Sequence, residues 1–238
     1  MKLPAVIICV CLAVFTLCVS AADVSDLYSA RVSVADRSDT EFKRGIAKAL
    51  KAVIVKLTGS RATAQSKRAR AVIGQAQRLV QQFGYERPRN NDLESDSLML
   101  RVEFDARVLN EEMRTRNLVV WGKERPDTLV WLVVDDTNGR RLLSAEDDHE
   151  LLTVMKIRAQ ARGILLLFPL GDISESLVIE AASSVQDLEL ALRVSSENYN
   201  VQSILTGLLR QVLPSVWENQ WQLRVEGESL QWDQQGDL

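Results

Sequence analysis

The chain has 238 residues, with 29 Lys and Arg against 32 Asp and Glu, for a net charge of −3. It carries one histidine, His149, and three cysteines, Cys9, Cys11 and Cys18, all near the N-terminus. This excludes a two-histidine zinc site, and beyond Cys18 it excludes any disulfide, thiolate metal site or cysteine nucleophile.

The first residues, MKLPAVIICVCLAVFTLCVSAADVSD, place Lys2 ahead of an apolar run from Leu3 to Val19, closed by Val19-Ser20-Ala21. A short cationic end, an apolar middle and small residues at the cut describe a secretory signal peptide, with cleavage after Ala21 or, as the alternative, Ala22. The run is somewhat shorter than the ~20 residues that span a bilayer, which argues against an uncleaved anchor. Leu17 ahead of Cys18 argues against lipidation, because lipoprotein processing needs a small residue there. The expectation is a periplasmic chain with no stable membrane span once the leader is removed.

Charge divides the rest. Residues 22–126 hold 20 Lys/Arg against 14 Asp/Glu, and residues 127–238 hold 8 against 18. Such an asymmetry predicts two domains: a basic α+β domain over 22–124 and an acidic α/β domain over 125–238, meeting in Lys123–Asp127. Much of the positive excess lies between Ser60 and Arg89, in Arg61, Lys67, Arg68, Arg70, Arg78, Arg87 and Arg89. A net-acidic exported chain without a binding motif argues against nucleic acid as the partner. An anionic envelope surface or acidic protein fits better, and a solvated helix face is the plainer reading.

In chain order, LYSARVSV (27–34) alternates as a strand. Residues 39–57 form a helix whose stripe is Phe42, Ile46, Leu50, Val53, Ile54 and Leu57, with Ser38 as N-cap and Gly59 as stop. A second helix is expected from Ser66 to Phe83, with Ala69, Val72, Ile73, Ala76, Leu79, Val80 and Phe83 along one side. RPRNNDLESDS (87–97) reads as a loop. LMLRVEFD then alternates as a half-buried strand with Leu98, Leu100, Val102 and Phe104 inward. A short helix over Ala106 to Thr115 follows, and the helices should cover one face of a small sheet.

In the second half, TLVWLVV (128–134) is apolar throughout, as expected of a strand covered on both faces. Asn138-Gly139 signals a turn. A helix is expected from Ser144 to about Ala161, with Ser144 as cap and Glu146, Asp147 and Asp148 in its first turn. ILLLFPL follows, then a helix over Val185 to Glu197, the strand VQSILTGLLRQVL, and a hairpin turning at Glu226-Gly227-Glu228. The order β-α-β-α-β plus hairpin predicts a three-layer mixed sheet, mostly parallel.

Chemistry-bearing residues are few. Asp135 and Asp136 end the apolar strand, where open α/β sheets bind ligands, and Asp172 of FPLGD is a candidate neighbour. Three carboxylates suit a hard cation. An ordinary turn is the competing reading, because aspartate bonds its own backbone two residues on. His149, at an acidic helix start, reads as a solvated residue. No Gly-x-Ser-x-Gly elbow and no phosphate loop occurs. Trp217 and Trp221 lie four apart on a strand, hence on one face with Asn219, Leu223 and Val225. They are candidates for a partner surface if exposed and for core if not.

LYSARVSVADRSD, LVVWGKERPDTLVWLVVDD and GILLLFPL, in this order behind a signal peptide, resemble the domain-of-unknown-function family numbered 2066, exported proteins of Gram-negative bacteria. The resemblance implies a periplasmic setting and transfers no catalytic residue. In element order the second half is also similar to the periplasmic N-terminal module of Tol-system propeller proteins, a kind of module that mainly binds partners. Together these readings predict a non-catalytic adaptor or assembly module of the cell envelope. It would need no cofactor and would bind an envelope protein or cell-wall component. The alternative is an envelope-polymer hydrolase or metal-dependent enzyme using Asp135, Asp136 and Asp172.

Overall fold

The computed structural model describes residues 27–87, 98–122, 125–180 and 182–236. The expected leader, with its expected cleavage at Ala21 or Ala22, lies outside the described residues, as do Lys123, Glu124 and residues 88–97 of the expected loop.

The fold is α+β, built on two sheets. The first half begins with β1 (Ser29–Val34) and α1 (Asp39–Thr58). The Ser38 hydroxyl accepts the Glu41 amide at 3.3 Å, which satisfies one of the open donors of the first turn. Gly59 ends the helix at φ 67°, a conformation a side chain resists. Leu50, Val53, Ile54 and Leu57 are fully buried, so the predicted stripe is the seam between helix and sheet.

Next come α2 (Arg61–Gln65), α3 (Lys67–Ile73), α4 (Ala76–Leu79) and β2 (Val80–Glu86). Here the single helix expected over 66–83 is corrected. The chain turns at Gly74-Gln75 and enters a strand at Val80. Ala69, Val72, Ala76 and Leu79 do face the core. Phe83 and Tyr85, however, alternate with Gln82, Gly84 and Glu86 at the strand period of two. The spacing of Leu79, Val80 and Phe83 also fits a helix, which is why periodicity misassigned them.

β3 (Leu98–Phe104) and α5 (Ala106–Thr115) complete the half, with Asp105 capping α5 through the Val108 amide at 2.9 Å. The strands form an antiparallel sheet in the order β1-β3-β2. Ala30, Val32, Val34, Leu100, Val102 and Phe104 fill one core with the helices. The opposite face carries charge, including the Arg31–Glu86 pair at 3.1 Å.

The second half runs through β4 (Thr128–Asp136), β5 (Gly139–Leu143), α6 (Glu150–Gln160) and β6 (Leu166–Leu167). It continues with α7 (Ile173–Val178), α8 (Val185–Ala191) and α9 (Arg193–Glu197). The last elements are β7 (Ser203–Leu213), β8 (Val216–Val225) and β9 (Glu228–Gly236). The sheet order is β5-β4-β7-β8-β9, with β6 beside β4.

Three layers form because β4 is buried on both sides. Leu129, Trp131 and Val133 pack with Leu188 and Leu192 of the α8–α9 side. Val130, Leu132 and Val134 pack with Leu152 of α6 and with Phe168.

The expected mostly parallel pairing is corrected. β4 runs parallel to β6 and β7, while β5, β8 and β9 pair antiparallel. Three tight reversals cause this, at Thr137-Asn138, between β7 and β8, and at Glu226-Gly227, because a two-residue connection can only join antiparallel strands. The β8–β9 turn places Glu226 at φ 50° and Gly227 at φ 90°, the double positive-φ turn that matches strand twist.

Arg125 ties the halves together. Its guanidinium donates to the carbonyls of Trp121, Gly122, Arg162 and Gly163 and lies 4.6 Å over the Trp121 ring. Burial lowers its pKa from the usual arginine value.

Candidate functional site

Asp135 and Asp136 lie at the end of β4 as expected, but consecutive strand residues point to opposite faces of the sheet. Asp135 shares the face of Leu129, Trp131 and Val133. It pairs with Arg210 of β7 at 3.6 Å, and its cross-strand neighbour on β5 is Arg140. Arg210 in turn stands opposite Glu218 of β8. The row Arg140, Asp135, Arg210, Glu218 therefore alternates in sign across four strands, the arrangement in which every cross-strand neighbour attracts.

Asp136 faces α6 instead. It binds Arg141 at 2.9 Å and accepts the Asn138 amide at 2.7 Å. The Arg141 hydrogen bond holds the carboxyl below the usual carboxylate range.

Asp172 is the N-cap of α7, accepting the Glu175 amide at 2.8 Å. Each of the three carboxylates thus has a place in the architecture, and the structure does not converge the first two on one ligand. Among the described residues no group of three or more His, Cys, Asp or Glu side chains is arranged to hold a metal ion.

His149 is the N-cap of α6, its Nδ1 accepting the Leu151 amide at 3.2 Å. This corrects the helix start expected at Ser144. The Ser144 amide and hydroxyl both donate to Asp147, at 2.6 and 2.9 Å, and Ala145 donates to the Pro169 carbonyl at 2.7 Å. These bonds hold residues 144–147 in a separate turn, and the helix begins only after His149.

Glu175, which the sequence did not single out, is the buried carboxylate among the described residues of this half. It accepts the amides of Gly171 and Asp172 at 3.0 and 3.2 Å and the Tyr199 hydroxyl at 2.8 Å. Burial, reinforced by this carboxylate, pushes the Tyr199 pKa up. The sequence signal was the capping box, Asp172 with an acid three residues on.

In the basic run, Arg61, Lys67, Arg68, Arg70, Arg78 and Arg87 are exposed. Lys67 and Arg68 line an open groove of about 780 Å³ beside Val119 and Trp121. Arg89 lies outside the described residues.

The tryptophans separate into two roles. Trp131 is fully buried, and its indole N–H donates to Ser196 Oγ at 2.8 Å. Trp217 and Trp221 share one face of β8 with Leu223 and are half-buried against the α6-side core. Trp221 lies over Gly207 of β7, where no side chain intervenes.

On β9 the same face continues with Leu230 opposite Leu223 and Trp232 opposite Trp221. The Trp221 and Trp232 rings stack with centroids 6.3 Å apart and planes 12° from parallel. Leu230 is 63% exposed and Trp232 39%. α8 sits on the other face, where Glu189 pairs with Arg224 at 2.9 Å and Gln220 accepts the Val185 amide. Trp217, Trp221, Leu223, Leu230 and Trp232 thus form an aromatic and aliphatic surface that runs from the core edge into solvent. Trp232 and Leu230 escaped the sequence reading because β9 is otherwise polar.

Fold and site together define an α+β chain with an aromatic sheet face and no convergent carboxylate centre among the described residues. Residues 21–122 match the family model described as domain of unknown function 8605, a different domain from the 2066 family. The match spans all of the first sheet, its helices and the basic groove. No curated protein and no solved structure matches the chain.

Proposed function

We propose that this is an exported, non-catalytic protein of the cell envelope that docks a partner protein on the aromatic face of β8 and β9. The observation that carries the reading is that face: three tryptophans and two leucines on one side of a hairpin, partly exposed, with α8 on the opposite side. Large rigid side chains of this kind supply contact area at little entropic cost, and tryptophan dominates binding hot spots. The cationic end, apolar run and small residues at the N-terminus support the periplasmic setting. The ion pairs of Asp135 and Asp136 and the capping role of Asp172 favour docking over a carboxylate enzyme.

Photo-crosslinking in living cells tests the reading. A benzophenone side chain at position 230, on the aromatic face, should yield a discrete adduct with another envelope protein. One at position 233, on the other face, should not. Trp217→Ala with Trp221→Ala should abolish the adduct. Equal labelling from both positions, or labelled glycan in place of protein, refutes the proposal. Adducts between two copies of the chain are recognised by mass and do not count. Fractionation and the mass of the processed N-terminus test export.

A further inference from the structure

We infer that the edge of β9 that no described strand covers pairs with the β9 edge of a second copy, antiparallel about a two-fold axis at Trp232. β9 is the longest unbulged edge among the described strands. It spans nine residues, its register with β8 is unbroken from Val225↔Glu228 to Trp217↔Gly236, and eight of the nine are exposed. β5 and β6 on the opposite side are short, and the β2 edge carries a bulge between Val80 and Gln82. Natural edges are blunted with proline, charged side chains and above all lysine, bulges or a covering element, and the charges on β9 are two, Glu228 and Asp233. GluSerLeuGlnTrpAspGlnGlnGly has neither proline nor lysine.

The register follows from charge and length. Centring the pair on Trp232 overlaps all nine residues and opposes Glu228 to Gly236, Ser229 to Gln235, Leu230 to Gln234 and Gln231 to Asp233. No like charges then stand opposite one another, so the edge complements itself. Trp232 meets its own counterpart, and because Trp221 already stacks on Trp232, the two copies share one row of four indoles. The proposed docking face is extended by this pairing and left uncovered. A nine-residue edge is about 30 Å long and buries less than the roughly 800 Å² per partner of a standard interface. Association should therefore depend on concentration, and it should strengthen with salt, which screens repulsion between the two acidic halves.

The test is sedimentation equilibrium of the purified chain without its leader, in the absence of any partner. A reversible monomer–dimer equilibrium is expected. Trp232→Lys and Trp232→Glu each place like charges on the axis and should each weaken dimerisation by about tenfold or more. An equimolar mixture of the two should recover a heterodimer, since only a residue on the axis is complemented by its own opposite-charge replacement. Circular dichroism should show both variants folded.

A strictly monomeric parent chain overturns the inference. So does a dimer that both substitutions leave intact, or one they weaken without recovery on mixing. Because no partner is present, this outcome is independent of the crosslinking experiment.

Discussion

Replacing Gly207 with alanine probes the contact that seats the aromatic face. Gly207 lies in β7 with no positive φ, so alanine fits the backbone, and the loss of unfolded-state freedom alone would stabilise by about 0.4–1 kcal/mol. Space decides the other way. A Cβ at position 207 would sit 2.5 Å from Trp221 Cζ3, 2.8 Å from Trp221 Cε3 and 2.9 Å from Leu132 Cδ1. Leu132 is fully buried and has nowhere to go, so the half-buried Trp221 must move outward, toward Trp232. Overpacking of this kind costs about 1–3 kcal/mol. The net expectation for Gly207→Ala is a loss of roughly 1–2 kcal/mol, or about 2–4 °C in Tm per kcal/mol for a chain of this size. Urea titration followed by far-ultraviolet circular dichroism measures it. Combining Gly207→Ala with Trp221→Leu should relieve the clash, giving a coupling energy of about 1 kcal/mol or more in a double-mutant cycle. A Gly207→Ala protein as stable as the parent, or one whose loss is simply additive with Trp221→Leu, would refute the reasoning.

Ser196→Ala should cost about 1–3 kcal/mol in the same titration, because it leaves the fully buried Trp131 N–H without its acceptor. Pairing it with Trp131→Phe, which removes the donor too, should recover part of the loss. Glu175→Gln should cost a similar ~1–3 kcal/mol, since three donors converge on the carboxylate. The Tyr199 pKa should fall toward its ordinary value yet stay raised, because burial is its larger cause; tyrosinate absorbance on alkaline titration reads this. Acid should weaken the parent through Asp136. Its folded-state pKa lies below the unfolded value of about 3.9, so its contribution is whole above that pH and is lost as pH falls through the depressed value. The pH dependence of the urea midpoint below pH 4 should therefore be shallower in Asp136→Asn.

Local signals made much of this fold legible. Ser38 and Gly59 bracket α1 because capping chemistry depends on nearest neighbours alone. The inward set Leu100, Val102 and Phe104 follows from strand alternation. Where the reading failed, a longer-range contact outweighed a local signal. Val80 and Phe83 satisfy helical spacing, yet the partner strand β3 claims them, with Val80 against Phe104 and Phe83 against Val102. Ser144 resembles a cap, yet the turn after it is held to the distant Pro169 carbonyl through the Ala145 amide. At the candidate site, Trp217 and Trp221 were placed on one face from their spacing. Trp232 and Leu230 join them only through the β8–β9 register, which no single segment specifies.

Asp135 and Asp136 show why adjacency in sequence is a poor guide to a site on a strand. Two carboxylates that share a metal or a proton must approach within a few ångströms on one side of the backbone, and a paired strand forbids this to neighbours. β4 is held by β5 on one side and β7 on the other, so twisting both side chains to one face would break ladder bonds that anchor two cores. The same alternation acts constructively on the hairpin. Residues 217, 221 and 223 differ by even numbers, so one register brings their side chains to a common surface, and the tight turn at Glu226-Gly227 returns 230 and 232 beside them. A strand concentrates chemistry through every second residue and its cross-strand neighbours. In this chain that rule disperses the acids and gathers the tryptophans.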